Sequence, residues 1–252
     1  MYDAKIKAQI LCMKWGPLYS SEYVNKLYGM VKRNISSPFR FVCLTDNSED
    51  IDSEVECYPC PEIELPEQVR NKGWRKLTTY APSTYLYDLK GVWLFLDLDV
   101  VITGSLDPFF SYEPNKDFVV MRNWSQPKKN IGNTSVYRFH IGKLTYILDQ
   151  LLENQTELLK TYSNSQTYIS RTVKEIVYWP DSWCILFKVQ CIPGWPQRFW
   201  RAPFLPKHTR IVAFPGNPNP HEAKEGNWPV KRKIKRLYKY IRPAKWISDY
   251  WK

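Results

Sequence analysis

Apolar and polar residues alternate from Lys5 to Met13, with enough β-branching to predict a first strand. Ser20-Ser-Glu then supplies capping residues for a helix whose Tyr23, Leu27, Met30 and Val31 recur at helical spacing. Phe39 to Leu44 predicts a second strand ending at Thr45-Asp-Asn, and a polar, Pro-containing stretch runs on to about Asn71. A helix is expected from Trp74 to about Leu86, broken by Pro82. Gly91-Val-Trp-Leu-Phe-Leu-Asp is the strongest strand pattern in the chain and is apolar on both faces, as the centre of a mostly parallel sheet requires. Strand, helix, strand, helix, strand within the first hundred residues reads as an α/β nucleotide-binding half. Beyond it the pattern predicts strands at Phe118–Met121, Asn133–Phe139, Cys184–Val189 and Thr209–Phe214. A helix over Gly142–Leu159 and a helical segment from Ser165 complete the expectation.

Composition places the chain among globular proteins: 252 residues, 44% hydrophobic and 15% aromatic, enough to bury a full-sized core. The formal charge of +11 suggests an anionic partner, but its distribution is uneven. Nine Lys and Arg lie between Lys231 and Lys252 against Asp249 alone, a net +8 that leaves +3 for the preceding 230 residues. So weakly basic a body argues against nucleic acid as a partner. No apolar run is long enough to span a bilayer, and the first residues carry no secretory pattern, so a cytoplasmic protein is expected. Cys57-Tyr-Pro-Cys60 has redox or metal spacing but no second pair, and reads as structural.

The chemistry concentrates where the central strand runs out. Asp97 and Asp99, at i and i+2, can point to one side of the sheet edge, and two like charges there need a cation. Ligands bind at the carboxyl ends of strands in open α/β sheets, and paired Asp oxygens suit a hard divalent ion, Mg²⁺ or Mn²⁺, that bridges to phosphates.

Asp97-Leu-Asp99-Val-Val-Ile-Thr-Gly104-Ser-Leu106, with the hydrophobic approach from Trp93, resembles the metal-dependent glycosyltransferases of GT-A fold. The group around glycogenin and the lipooligosaccharide galactosyltransferases, glycosyltransferase family 8, is the most similar. The resemblance extends to about Glu222 and implies a Rossmann-like, mostly parallel sheet flanked by helices. It implies that Asp97, Leu98 and Asp99 meet the nucleotide sugar, with both acids on the metal. By the same resemblance Lys14 and Trp15 lie where the base is held, Trp15 or Tyr19 stacking on uracil. Lys76 faces the diphosphate at a helix start, itself a favourable anion site, and Asn133 in Gly132-Asn-Thr-Ser-Val faces the donor sugar. Ser165-Gln166-Thr matches an Asp-Gln-Asp segment with both acids missing, which leaves Gln166, with Asn133, as the catalytic candidates. Aligned on Gly216 and Pro220, Ala213 stands where the group has its His ligand and Asn219 where it has Lys, so His221 is the candidate third ligand from a shifted position.

In the tail, Ile234, Leu237, Tyr238 and Ile241 recur at helical spacing among Lys and Arg, and Trp246, Ile247, Tyr250 and Trp251 follow Pro243. This predicts a basic amphipathic tail that lies on an anionic membrane through residues 231–252. The expected organisation is a catalytic domain over 1–228 with a membrane-associating tail over 229–252. The expected function is transfer of a hexose from a UDP-sugar to a glycan or glycolipid acceptor, with Mn²⁺ or Mg²⁺, at the cytoplasmic membrane face. The alternatives are a noncatalytic membrane or nucleic-acid adaptor on the same fold and a metal-dependent nucleotidyltransferase.

Overall fold

The computed structural model describes residues 8–70, 72–230, 232, 234–235 and 238–252. The expected strand start at Lys5, and Lys231, Lys233, Arg236 and Leu237 of the expected tail helix, lie outside the described residues. Alternation along β1 (Ala8–Lys14) sends Ile10 and Cys12 to one face of the sheet and Leu11 and Met13 to the other. Helix α1 (Ser21–Asn34) buries Tyr23, Leu27, Met30 and Val31, the four residues at helical spacing. Ser20 stands at its N-cap without a side-chain bond, and the first turn carries Glu22, paired with Lys26 four residues on.

Strands β2 (Phe39–Thr45) and β3 (Glu56–Pro59) extend the sheet on one side. After a short α2 (Glu67–Arg70) the expected helix is a 3-10 segment, Gly73–Tyr80, followed by a second short one, Ser83–Tyr85. The hydroxyls of Thr78 and Thr79 donate back to the carbonyls of Arg75 and Lys76, which competes with α-helical bonding just ahead of Pro82. Strand β4 (Val92–Leu96) is central: it runs parallel to β1 and antiparallel to β7 (Gly132–His140). Its Trp93 and Phe95 enter one core layer, its Leu94 and Leu96 the other, so both faces are dry as the pattern predicts.

Chain order continues through β5 (Val100–Ile102), α3 (Pro108–Ser111), β6 (Phe118–Arg122), α4 (Thr145–Glu153), α5 (Gln155–Thr161), α6 (Ser165–Thr172) and β8 (Val177–Tyr178). The helix expected over Gly142–Leu159 is thus two helices that meet at Asn154. The main sheet reads β3-β2-β1-β4-β7-β6-β8, parallel except at the two β7 pairings. A small second sheet joins β5, β10 (Ile211–Ala213) and β9 (Cys184–Leu186). The strand expected to continue to Val189 instead turns at Phe187 into a five-residue π-helical segment.

Helix α7 (Pro220–Glu225) and a short α8 (Ile247–Tyr250) close the chain. The tail departs from its expected form. Ile241, Ala244, Ile247 and Trp251 are buried in the same core layer as α1 and the second sheet. The aromatic end of the tail is therefore part of the body, not a free membrane-facing stripe. Gly226 makes this possible. It ends α7 at φ +78°, and a Cβ there would come within 2.8 Å of Pro243. The next residue along, Ala244, donates its N–H to the Ala223 carbonyl at 3.0 Å. Among the described residues no helix is long and apolar enough to cross a membrane.

Candidate active site

Where β4 ends, the chain makes a tight turn through Asp97, Leu98 and Asp99 before β5 begins. The turn is fixed from both sides: Asp97 donates its N–H to Ser135 on β7, and the Asp99 carbonyl accepts from Phe214 just after β10, both at 2.9 Å. The two carboxylates line one cavity of about 780 Å³, yet their partners come from opposite layers. Asp97 is ion-paired to Lys76 of the 3-10 segment, whose ammonium also lies 5.5 Å from the Phe95 ring. Asp99 accepts a hydrogen bond at 3.0 Å from Tyr19, which stands just ahead of α1.

Electrostatics single out Asp99. It is buried, and burial pushes its carboxyl up to about 7, with the neighbouring charge of Asp97 adding to the rise and Lys76 and the Tyr19 hydroxyl opposing it. Burial, then the charge of Asp99, hold the Tyr19 phenol well above its ordinary value, so it stays a donor.

Trp15, Lys76, Asp97, Leu98, Asp99, Asn133 and Gln166 all line this cavity. The structure thus brings together residues singled out from sequence at positions as far apart as 15 and 166. Asn133 uses its side-chain oxygen on the Ser135 N–H at 2.9 Å. Gln166 lies in the first turn of α6, where Asn164 caps the helix by accepting from Thr167 at 2.9 Å. Ser165 is buried against Gly73, where an added Cβ would lie 3.0 Å from the Ser165 hydroxyl. The close approach of these two elements suits a hydroxyl at 165 better than a carboxylate.

Lys14 and His221 do not join the cavity. Lys14 is buried and donates to the Asn47 carbonyl at 3.1 Å, with Asp46 at 4.0 Å, so it ties β1 to the loop after β2. His221, near the start of α7, faces α1: its Nδ1 is 2.6 Å from the Tyr23 hydroxyl and its ring stacks on Trp251 at 6.4 Å between centroids. Among the described residues no group of three or more His, Cys, Asp and Glu could hold a metal. Ala213, aligned with the missing His, pairs with Val100 beside Asp99. Its backbone occupies the place, and its methyl group offers no ligand.

Tyr19, which the sequence offers only as an alternative to Trp15 for stacking on a base, turns its hydroxyl to Asp99 instead. Lys188, in the π-helical segment, donates to the carbonyl of Pro215 on the cavity wall; burial lowers its ammonium pKa, with Lys239 adding to the fall and Asp99 opposing it. No local signal marks Lys188, because the turn at Phe187 that carries it reads as strand. A second groove of about 870 Å³, beyond the ends of β2 and β3, is lined by Asp46, Tyr58, Glu62 and Arg75 but holds no carboxylate pair at a central strand end.

No protein-family model matches the sequence, and no curated protein matches it. Solved structures do match the fold. The galactosyltransferase LgtC, in complex with donor and acceptor sugar analogs, aligns with a TM-score of 0.55 at 11% identity over 84% of this chain and 88% of that one. An active-site mutant of LgtC aligns with a TM-score of 0.62 at 11% identity over 94% and 98% of the two chains. The glycosyltransferase GlyE of Streptococcus pneumoniae TIGR4 gives 0.57 at 11% identity, over 84% of this chain and 56% of that one. The fold is the GT-A fold of these glycosyltransferases, similar to that of LgtC.

Proposed function

We propose that the chain transfers a hexose from a UDP-sugar to a glycan or glycolipid acceptor, with a divalent ion, Mn²⁺ or Mg²⁺, held at Asp97 and Asp99. One observation carries this reading: two carboxylates end the central strand inside a cavity whose walls also offer an indole, a lysine and the amides of Asn133, Asn164 and Gln166. That inventory suits a nucleotide sugar. Trp15 gives a flat apolar surface for a base, and Lys76 gives a cation for a diphosphate. Asn133 and Gln166 present amides that donate and accept at once, as sugar hydroxyls require.

The donor set fits the ion. Lys76 is drawn to Asp97, while Asp99 is buried with a phenol as donor and a raised pKa, the state of a carboxylate whose charge wants a further cation. A site of two carboxylates without histidine suits Mg²⁺ or Mn²⁺ that completes its shell with water and substrate phosphate. When bound, such an ion neutralises the charge that gathers on a departing diphosphate. The residues of the chain do the rest. Lys76 shares that charge, Tyr19 holds Asp99 in place, and Gln166 and Asn133 orient the sugar toward the open side of the cavity.

The test is release of UDP from a panel of UDP-sugars with Mn²⁺ present. Turnover of at least one of them is expected, and no release from any donor would contradict the reading. Nucleotide binding without turnover would instead favour a noncatalytic descendant of the fold.

A further inference from the structure

Between Cys191 and Pro206, where Ile192 and Leu205 stay packed on the core, the chain makes an excursion that leaves large aromatic side chains exposed. Trp195 is 68% exposed, Trp200 59% and Phe204 53%, unusual for residues that together carry this much apolar surface. The excursion is held at both ends. Phe204 donates its N–H to the Cys191 carbonyl at 3.0 Å, and Lys188, just before it, is anchored on Pro215 of the cavity wall.

It also meets the basic segment before the buried end of the tail. Phe199 stacks on Tyr240 at 5.3 Å between ring centroids, and Arg198 donates to the Tyr238 carbonyl at 2.9 Å. Tyr238, Tyr240 and Ile234 are themselves exposed. The charge of this region has one sign. From Ser182 to His221, and again from Gly226 to Ser248, the sequence contains no Asp or Glu, while Lys and Arg recur throughout both stretches.

We infer that the aromatic excursion and the basic segment form one surface that docks on an anionic lipid bilayer. The occupant follows from chemistry. Trp and Tyr favour the level of lipid headgroups, where their rings meet the acyl boundary and their polar edges meet water. Lys and Arg beside them gain from a negative surface potential. The two stretches that carry the surface contribute Lys and Arg but no carboxylate of their own, a single sign of charge that complements an anionic headgroup layer. The excursion supplies the apolar half of the surface, which the sequence pattern assigns to Trp246, Ile247, Tyr250 and Trp251. Ile247 and Trp251 are buried in the core, and Trp246 and Tyr250 pack against it half-buried. The inference does not depend on the proposed transfer reaction.

The experiment uses the full chain, in co-sedimentation with phosphatidylglycerol-containing vesicles and with pure phosphatidylcholine vesicles. Binding to the first and much weaker binding to the second is expected, falling as salt rises. A Trp195→Ser, Trp200→Ser double variant, and separately an Arg201→Glu, Lys207→Glu double variant, should each weaken binding by about tenfold or more with unchanged Tm, since all four side chains are exposed. Trp251→Ser should lower Tm and leave vesicle binding by the folded protein unchanged. Equal binding of both vesicle types, full binding by the tryptophan double variant, or a dimer or oligonucleotide complex in place of vesicle binding would each overturn the inference.

Discussion

Burial raises the Asp99 carboxyl to about 7, and this has a consequence for stability as well as for binding. In the unfolded chain an aspartate releases its proton near 3.9. Between about pH 4 and pH 7 the folded protein therefore holds a proton that the unfolded chain has lost, and stability falls as pH rises through that window. Calorimetry of the metal-free protein should show this fall, and Asp99→Asn should flatten it. Above the window the variant should melt higher than the parent, by about 2–4 °C for each kcal/mol of relieved burial. A residue kept at a cost to stability is what a binding site retains. Gln166 gives a second residue-scale prediction. Gln166→Ala should lower kcat by about tenfold or more, the worth of one good hydrogen bond, with UDP binding in a calorimetric titration unchanged.

Several of these residues are legible in the sequence for physical reasons. Asp97 and Asp99 stand out because five consecutive apolar strand residues, Val92 to Leu96, precede them, and only a buried central strand tolerates that. Lys14 and His221 look as available as Lys76. Only packing shows that one is consumed by Asn47 and the other by Tyr23 and Trp251.

At the scale of elements, period-two and helical patterns locate the strands of the main sheet and helix α1 closely. What they miss is local chemistry: threonine back-bonding that tightens the segment after Gly73, the break at Asn154, and the π-helical turn that delivers Lys188 to Pro215. The tail is the clearest case. Its pattern of Trp246, Ile247, Tyr250 and Trp251 fits a lipid surface and a protein core equally, because both reward apolar burial. Contacts decide for the core. Trp251 is 5% exposed, packs edge-on to Tyr23 at 5.3 Å and carries the Lys26 ammonium 3.7 Å above its ring. Gly226→Ala should accordingly destabilise by about 1 kcal/mol or more, from its left-handed backbone alone, with the contact to Pro243 adding to the loss. Thermal unfolding of the variant measures it.

For the whole molecule, net charge divides the labour. The excess of +11 gathers toward the C-terminal quarter, and the fold turns that quarter into a half-buried brace whose exposed part joins the aromatic excursion. The candidate catalytic cavity lies elsewhere, assembled from the ends of β1 and β4 and the starts of β7, the 3-10 segment and α6. There, on the proposed reading, Asp97 and Asp99 bind a nucleotide diphosphate through a divalent ion. Titration of UDP into the protein by calorimetry, with Mn²⁺ and then with chelator, tests this most directly. Binding that requires Mn²⁺ and disappears in Asp99→Asn is the predicted result, and UDP binding of equal strength with chelator present, or undiminished in Asp99→Asn, would contradict it.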